Sequence, residues 1–159
     1  MSNKTYTITA SGHQECTLPM MQVTMTSHAM EVAESAPSAL CADSIARALS
    51  YWANMRQECF LAVYQNAQGA IIGVLEVSRG TLTSSLVHPR EVFAPAIERG
   101  AASIIIAHNH PSGDTEPSAA DITTTERLRK AGKLLGINVL DHVIIGHSGY
   151  YSFMEAGRM

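Results

Sequence analysis

A chain of 159 residues, 46% hydrophobic and 16% charged, has the balance of one globular domain with a core of its own and is short for two. Its formal charge of −3, with no run of basic residues, supplies no strong positive field, so nucleic acid is not expected as a partner beyond a local basic face. Cys16, Cys41 and Cys59 are odd in number and lack paired short spacings, which argues against a disulfide framework and a Cys-rich zinc site; three free thiols in a reducing compartment are expected. No apolar run is long enough to span a bilayer, and the polar start lacks the plan of a signal peptide, so no membrane partner is expected and the cytoplasm is the expected location.

Residues 1–37 stand apart: threonine and methionine are frequent, charge is sparse, and Val23 and Met25 alternate with polar neighbours. One or two short strands or an arm is expected there, outside a domain at residues 38–159. His13 and His28 read as solvated surface histidines, and Met20, Met21, Met25 and Met30 as packing residues rather than ligands of a soft metal. Ile45, Leu49, Trp52 and Met55 recur at helical spacing, which predicts one helix of about three turns, capped by Asp43 or Ser44 and ending near residues 54–57. Residues 59–64 form a continuous apolar run, and after the turn at residues 66–69 a second run covers 70–77; these predict two strands, the first buried on both faces. One more short strand is expected over residues 81–87.

Pro89 suits the first turn of a second helix and Gly100 its C-terminal stop; Pro95 inside it predicts a kink or a late start. Residues 103–107, Ser-Ile-Ile-Ile-Ala, have the composition of a central strand. A helix follows over 118–135 with Ile122, Leu128, Leu134 and Leu135 as core candidates and Gly136 as its stop. Residues 137–145 and 150–153 flank a glycine-containing turn and predict a hairpin. This order favours an α/β fold, a mixed β-sheet flanked by helices. A parallel pairing of the strands at 103–107 and 139–145 would make their connection a right-handed crossover, with a site at the C-terminal end of the first.

That end carries the chemistry. His108 and His110, two apart in an extended segment, point to one side. Asp121 lies in the first turn of the next helix, three residues after Ser118. Two imidazoles and a carboxylate suit Zn²⁺ and leave a fourth position for water, whose pKa falls from about 15.7 to about 7 on such a metal. Ser118 and Asp121 also form a variant capping box, so helix capping alone accounts for both. The letters His-Asn-His at 108–110 are not those of an HNH nuclease, whose residues spread over a longer unit, and the zinc deaminase pattern is absent.

His108-x-His110, seven residues, then Ser118-x-x-Asp121 resembles the JAMM motif of MPN/JAB-type metalloproteases. With His108-Asn109-His110-Pro111-Ser112-Gly113, Val87-His88-Pro89-Arg90-Glu91-Val92 and Leu140-Asp141-His142, the chain resembles the RadC family from about residue 40 onward. The resemblance implies a cytidine-deaminase-like JAB/MPN core, one zinc held by His108, His110 and Asp121, and hydrolysis of a peptide or isopeptide-linked protein substrate. It also implies a glutamate base from an earlier strand. Glu58, directly before the strand at 59–64, stands where the family's glutamate stands, and Glu76 on the following strand is the alternative. In this scheme Glu58 takes the water's proton and passes it to the leaving amine, and Ser118 donates to the tetrahedral oxyanion. His88 and His142 read as structural histidines, with a supporting role behind the ligands open to Asp141 or His142. Full-length RadC proteins carry an N-terminal helix-hairpin-helix, and nothing in this chain looks like one. A non-catalytic MPN-type interaction module and a DNA-repair-associated protein remain the alternatives.

Overall fold

All seven residues of the strand Cys59–Gln65 are buried, and this strand lies inside a sheet covered on both faces. In a computed structural model the described residues are 17–18, 21–26, 29–32, 41–80, 87–147 and 149–159. The strands are β1 (Thr17–Leu18), β2 (Met21–Thr26), β3 (Ala29–Val32), β4 (Cys59–Gln65), β5 (Ile71–Arg79), β6 (Ser103–Asn109), β7 (Asn138–Ile145) and β8 (Tyr150–Ser152); the helices are α1 (Ala42–Ala48), α2 (Ser50–Ala53), α3 (Pro89–Glu98) and α4 (Ala119–Leu135). They build a mixed sheet in the order β1-β2-β3-β5-β4-β6-β7-β8. Only the β6–β7 pair among these is parallel, joined through α4, which is the crossover expected from the sequence. The described parts of the N-terminal segment supply β1 to β3, and β3 pairs antiparallel with β5. Among the described residues no helix is long and apolar enough to cross a membrane.

Strand alternation divides the core in two. Cys59, Leu61 and Val63 of β4, with Ile105 and Ala107 of β6, meet Ile45, Leu49 and Trp52 from α1 and α2. Phe60, Ala62 and Tyr64, with Ile104 and Ile106, face the other way and meet Val92, Phe93 and Ala96 of α3 and Leu128 of α4. This parity positions the site: even-numbered residues near the end of β6, including His108, face α4, while Asn109 faces the α2 side.

Three expectations are corrected. The first helix breaks at Leu49 instead of running three continuous turns, and its N-cap is Cys41 rather than Asp43 or Ser44. At the break the Trp52 amide bonds to the Leu49 carbonyl, a tighter i→i+3 turn that keeps Leu49, Trp52 and Ala53 all in the core. Of the kink or late start expected at Pro95, the late start does not occur: α3 starts at Pro89 and runs through Pro95. Leu134 and Leu135 are exposed, at 88% and 49%, because the buried face of α4 is Asp121, Thr124, Thr125, Leu128 and Gly132. Leu134 lies about 200° around the helix from Gly132. The strand expected at 81–87 falls on residues 81–86, outside the described residues. So do Cys16, His13 and the side chains of His28, Met20, Met21, Met25 and Met30.

Candidate metal centre

Four side chains from three elements converge at the C-terminal end of β6. His108 is the last but one residue of β6, and His110 follows it with its amide donating to the Ile145 carbonyl at the end of β7 at 3.1 Å. That bond keeps the chain extended for one more residue, so both imidazoles emerge on the α4 side. β4 runs antiparallel to β6 with Phe60 opposite His108, and extending this register by two residues brings Glu58 across from His110. Asp121 comes from the first turn of α4, where Ser118 is the N-cap. One donor atom from each of Glu58, His108, His110 and Asp121 lies within 4.8 Å of all the others.

The distances fit one small cation. Two bonds of about 2.05 Å at a tetrahedral angle separate their donor atoms by about 3.3 Å. His108 Nε2 lies 3.3 Å from Asp121 Oδ1, His110 Nε2 lies 3.5 Å from Asp121 Oδ2, and the two Nε2 atoms are 2.9 Å apart. His110 Nδ1 is 2.7 Å from the Asp114 carbonyl, which can only accept, so the ring carries its proton on Nδ1 and turns the Nε2 lone pair inward. Glu58 Oε1 stands a little farther off, 3.8 Å from His108 Nε2. His108, His110 and Asp121 thus have donor atoms spaced as ligands of one cation would be, and the Glu58 carboxylate stands beside them.

Electrostatics set the two imidazoles apart. Burial pushes His108 down to about 4, against a smaller upward pull from Asp121, so its imidazole is neutral and able to ligate at ordinary pH. His110 is raised, first by its hydrogen bond to Asp121. Burial works to raise the Asp121 carboxyl, but His110, His108 and Ser118 together outweigh it and hold Asp121 well below the usual carboxylate range. Asp121 is therefore an anion, 1% exposed, among imidazoles. Cys59, next to Glu58, offers no competing chemistry: desolvation pushes its buried thiol up to about 11.

The structure separates the two glutamate candidates. Glu76 accepts from Arg79 Nε and Nη2 at 2.7 and 2.8 Å and from Trp52 Nε1 at 3.3 Å, and it is absent from the converging group; Glu58 is in it. Ser118 completes a reciprocal capping box: its hydroxyl accepts from the Asp121 amide at 3.2 Å, and its own amide donates to Asp121 Oδ2 at 2.7 Å. The hydroxyl proton also goes to Asp121 Oδ2, at 2.6 Å. Capping therefore accounts for Ser118 as the structure stands.

His88 is a structural histidine, accepting at Nδ1 from the Arg90 amide as the N-cap of α3. Asp141 faces away from the centre and ties β7 to β8 and the following turn, accepting from the His142 and Met154 amides and from Ser152. His142 is fully buried and touches His108, Nε2 to Nδ1, at 2.8 Å. Two further residues were given no role in the sequence argument. Asn109 accepts from the Cys59 amide at 2.8 Å and donates to the Met55 and Gln57 carbonyls at 3.4 and 3.2 Å, holding the segment that carries Glu58. Thr125 hydrogen-bonds His142 from one turn beyond Asp121. The available signal for Asn109 was a polar residue facing the core from a strand; for Thr125, its i+4 spacing from Asp121.

The loop between His110 and Ser118 is seated on the β7–β8 turn. Gly113 has φ +83° and a methyl there would overlap the His147 ring, while a methyl on Gly146 would come within 2.5 Å of the Gly113 carbonyl and 2.7 Å of Thr115 Cγ2.

The chain is similar to known proteins. A family model described as RadC-like JAB domain matches residues 40–158. The UPF0758 protein of Trichlorobacter lovleyi is 52% identical over 104 residues, 65% of this chain and 45% of its own length. That of Symbiobacterium thermophilum is 53% identical over 107 residues, 67% of this chain and 46% of its own length. The UPF0758 protein of Clostridioides difficile is 54% identical over 101 residues, 64% and 43% respectively. The chain thus spans less than half the length of these relatives, and their names state no activity. A mixed α/β sheet with helices on both faces agrees with a JAB/MPN-like fold.

Proposed function

The chain belongs to the RadC family, with a RadC-like JAB domain over residues 40–158, and from that premise we propose that it is a zinc-dependent hydrolase acting on a peptide or isopeptide bond. The observation that carries the proposal is the convergence of His108 Nε2, His110 Nε2 and the Asp121 carboxylate, with the Glu58 carboxylate beside them. Two nitrogens and a carboxylate without thiolate are a donor set that zinc accepts with a position left open. Zinc there supplies a Lewis acid and water of lowered pKa. Glu58 accepts the proton of the attacking water and returns it to the leaving amine. Ser118 donates to the oxyanion once a substrate carbonyl arrives, by rotating its proton away from Asp121 Oδ2; that oxygen keeps the Ser118 amide as a donor. Asp121 stays ionised throughout, and the Asp114 carbonyl orients His110. With a net charge of −3 the protein is not proposed to act on nucleic acid, and free Cys41 and Cys59 fit a reducing compartment such as the cytoplasm.

Metal analysis and a cleavage panel test the proposal. Wild type is expected to hold one zinc per chain, His110→Ala to lose it, and Glu58→Gln to keep it while losing hydrolysis by about 10²-fold or more. Wild type without stoichiometric zinc overturns the metal centre. Wild type that holds zinc but cleaves no peptide or isopeptide in a Glu58-dependent way overturns the enzyme and leaves an interaction module.

A further inference from the structure

Behind the ligands runs a chain of hydrogen bonds whose direction is fixed at its far end. Thr125 Oγ1 lies 2.6 Å from the Asp121 carbonyl and 2.6 Å from His142 Nδ1; His142 Nε2 lies 2.8 Å from His108 Nδ1. Both imidazoles are fully buried, with the Phe60 ring against both and the Phe153 ring stacked on His142. A pair of neutral imidazoles in such a place can pass its hydrogen either way, and nothing within the pair selects one.

Thr125 selects it. A carbonyl only accepts, so the Thr125 hydroxyl gives its single proton to Asp121, the ordinary back-bond of a threonine inside a helix. Toward His142 Nδ1 that oxygen can then only accept, so His142 carries its proton on Nδ1 and has a lone pair on Nε2. His108 Nδ1 must therefore be the donor to that lone pair, and His108 Nε2 is left unprotonated, facing Asp121 Oδ1 and His110 Nε2. We propose that Thr125 and His142 are positioning residues that hold His108 in its Nδ1–H tautomer and so present Nε2 as a ligand. The opposite tautomer would point an N–H into the space between His108, His110 and Asp121, the direction in which a metal would lie. In its purpose the proposal rests on His108 being a metal ligand; the direction of the relay does not.

Ring ¹⁵N–¹H correlation spectra of the metal-free protein read the tautomer directly. Wild type is expected to show His108 protonated at Nδ1 and not at Nε2. Thr125→Val, which keeps the shape and removes the hydroxyl, is expected to mix in the Nε2–H form and to weaken zinc binding, measured in competition with a chromogenic chelator, by about 10 to 100-fold. Thr125→Ser, which keeps the hydroxyl, is expected to restore both. A wild-type His108 protonated at Nε2 overturns the proposal, and that measurement needs no variant to fold. So does a Thr125→Val protein with wild-type tautomer and zinc affinity. Wild-type protein that binds no zinc would instead defeat the metal centre, while its spectrum still reports on the relay.

Discussion

At the scale of single residues, the candidate ligands and the residues that hold them differ in how far along the chain their partners lie. His108 and His110 share a face because a strand has a period of two, and Asp121 follows a cap that the letters display, so the grouping of these three side chains was legible in the sequence. Asn109, between the two histidines, was not: it faces the opposite side of the sheet, and its partner at Cys59 is 50 residues away. Its amide satisfies one buried donor and two carbonyls on either side of Glu58. Asn109→Ala leaves the Cys59 amide buried and unpaired, at a cost of about 1–3 kcal/mol. Urea denaturation is expected to show a loss of that size, with zinc content as in wild type because no ligand is touched. A variant of unchanged stability that loses its metal would place Asn109 in the metal centre instead.

At the scale of elements, apolar runs and strand composition recovered β4 to β7, Pro89 and Gly100 bracketed α3, and the apolar periodicity that ends at Gly136 recovered α4. That periodicity misplaced α4's buried face for a physical reason. The helix packs through Thr124, Thr125 and Gly132 as well as Leu128, small and polar groups that a hydrophobicity pattern passes over, and the apolar Leu134 points to solvent. Gly132 shows what the packing demands. Alanine in a helix interior is better than glycine by about 1 kcal/mol, so propensity favours Gly132→Ala. A methyl there, however, would run into the Ile137 carbonyl and come within 3.1 Å of Phe93 Cζ. The first of these is backbone, held by the Ile137 amide's own bond to the Gly132 carbonyl at 3.0 Å, and cannot swing aside. Overpacking of this kind costs about 1–3 kcal/mol and outweighs the gain. Gly132→Ala is expected to lower the unfolding free energy by about 1 kcal/mol net in urea denaturation; a variant as stable as wild type would mean that α4 can shift away from β7.

At the scale of the whole molecule, two buried neutral imidazoles in and behind the candidate metal centre make folding depend on pH even without metal. The mixed sheet itself was legible from the order of elements, but not its register, and it is the register that sinks His108 and His142 to full burial between α4 and the sheet. Burial pushes His108 down to about 4 and His142 well below its usual value. Above pH of about 6.5 both are neutral in the folded and unfolded chains and add no pH dependence. As pH falls below that value, the unfolded chain takes up protons that the folded chain refuses, so stability falls through the window from about 6.5 to about 4, each pH unit per histidine being worth about 1.4 kcal/mol. His110 acts in the opposite sense, since its folded pKa is raised and it gains stability as pH falls, but it is one partly exposed ring against two buried ones. Asp121, with a depressed folded pKa, contributes stability that is fully present above about 3.9 and is lost only below it, so it does not operate in this window. Chelator-treated protein is therefore expected to unfold at lower urea at pH 5 than at pH 7.5, by about 2 kcal/mol. Zinc-loaded protein should start higher by mass action and fall more steeply, because protons compete with the metal for the same imidazoles. A urea midpoint of the metal-free protein that holds or rises between pH 7.5 and pH 5 would mean that His108 and His142 are not the dry, neutral pair on which the centre rests.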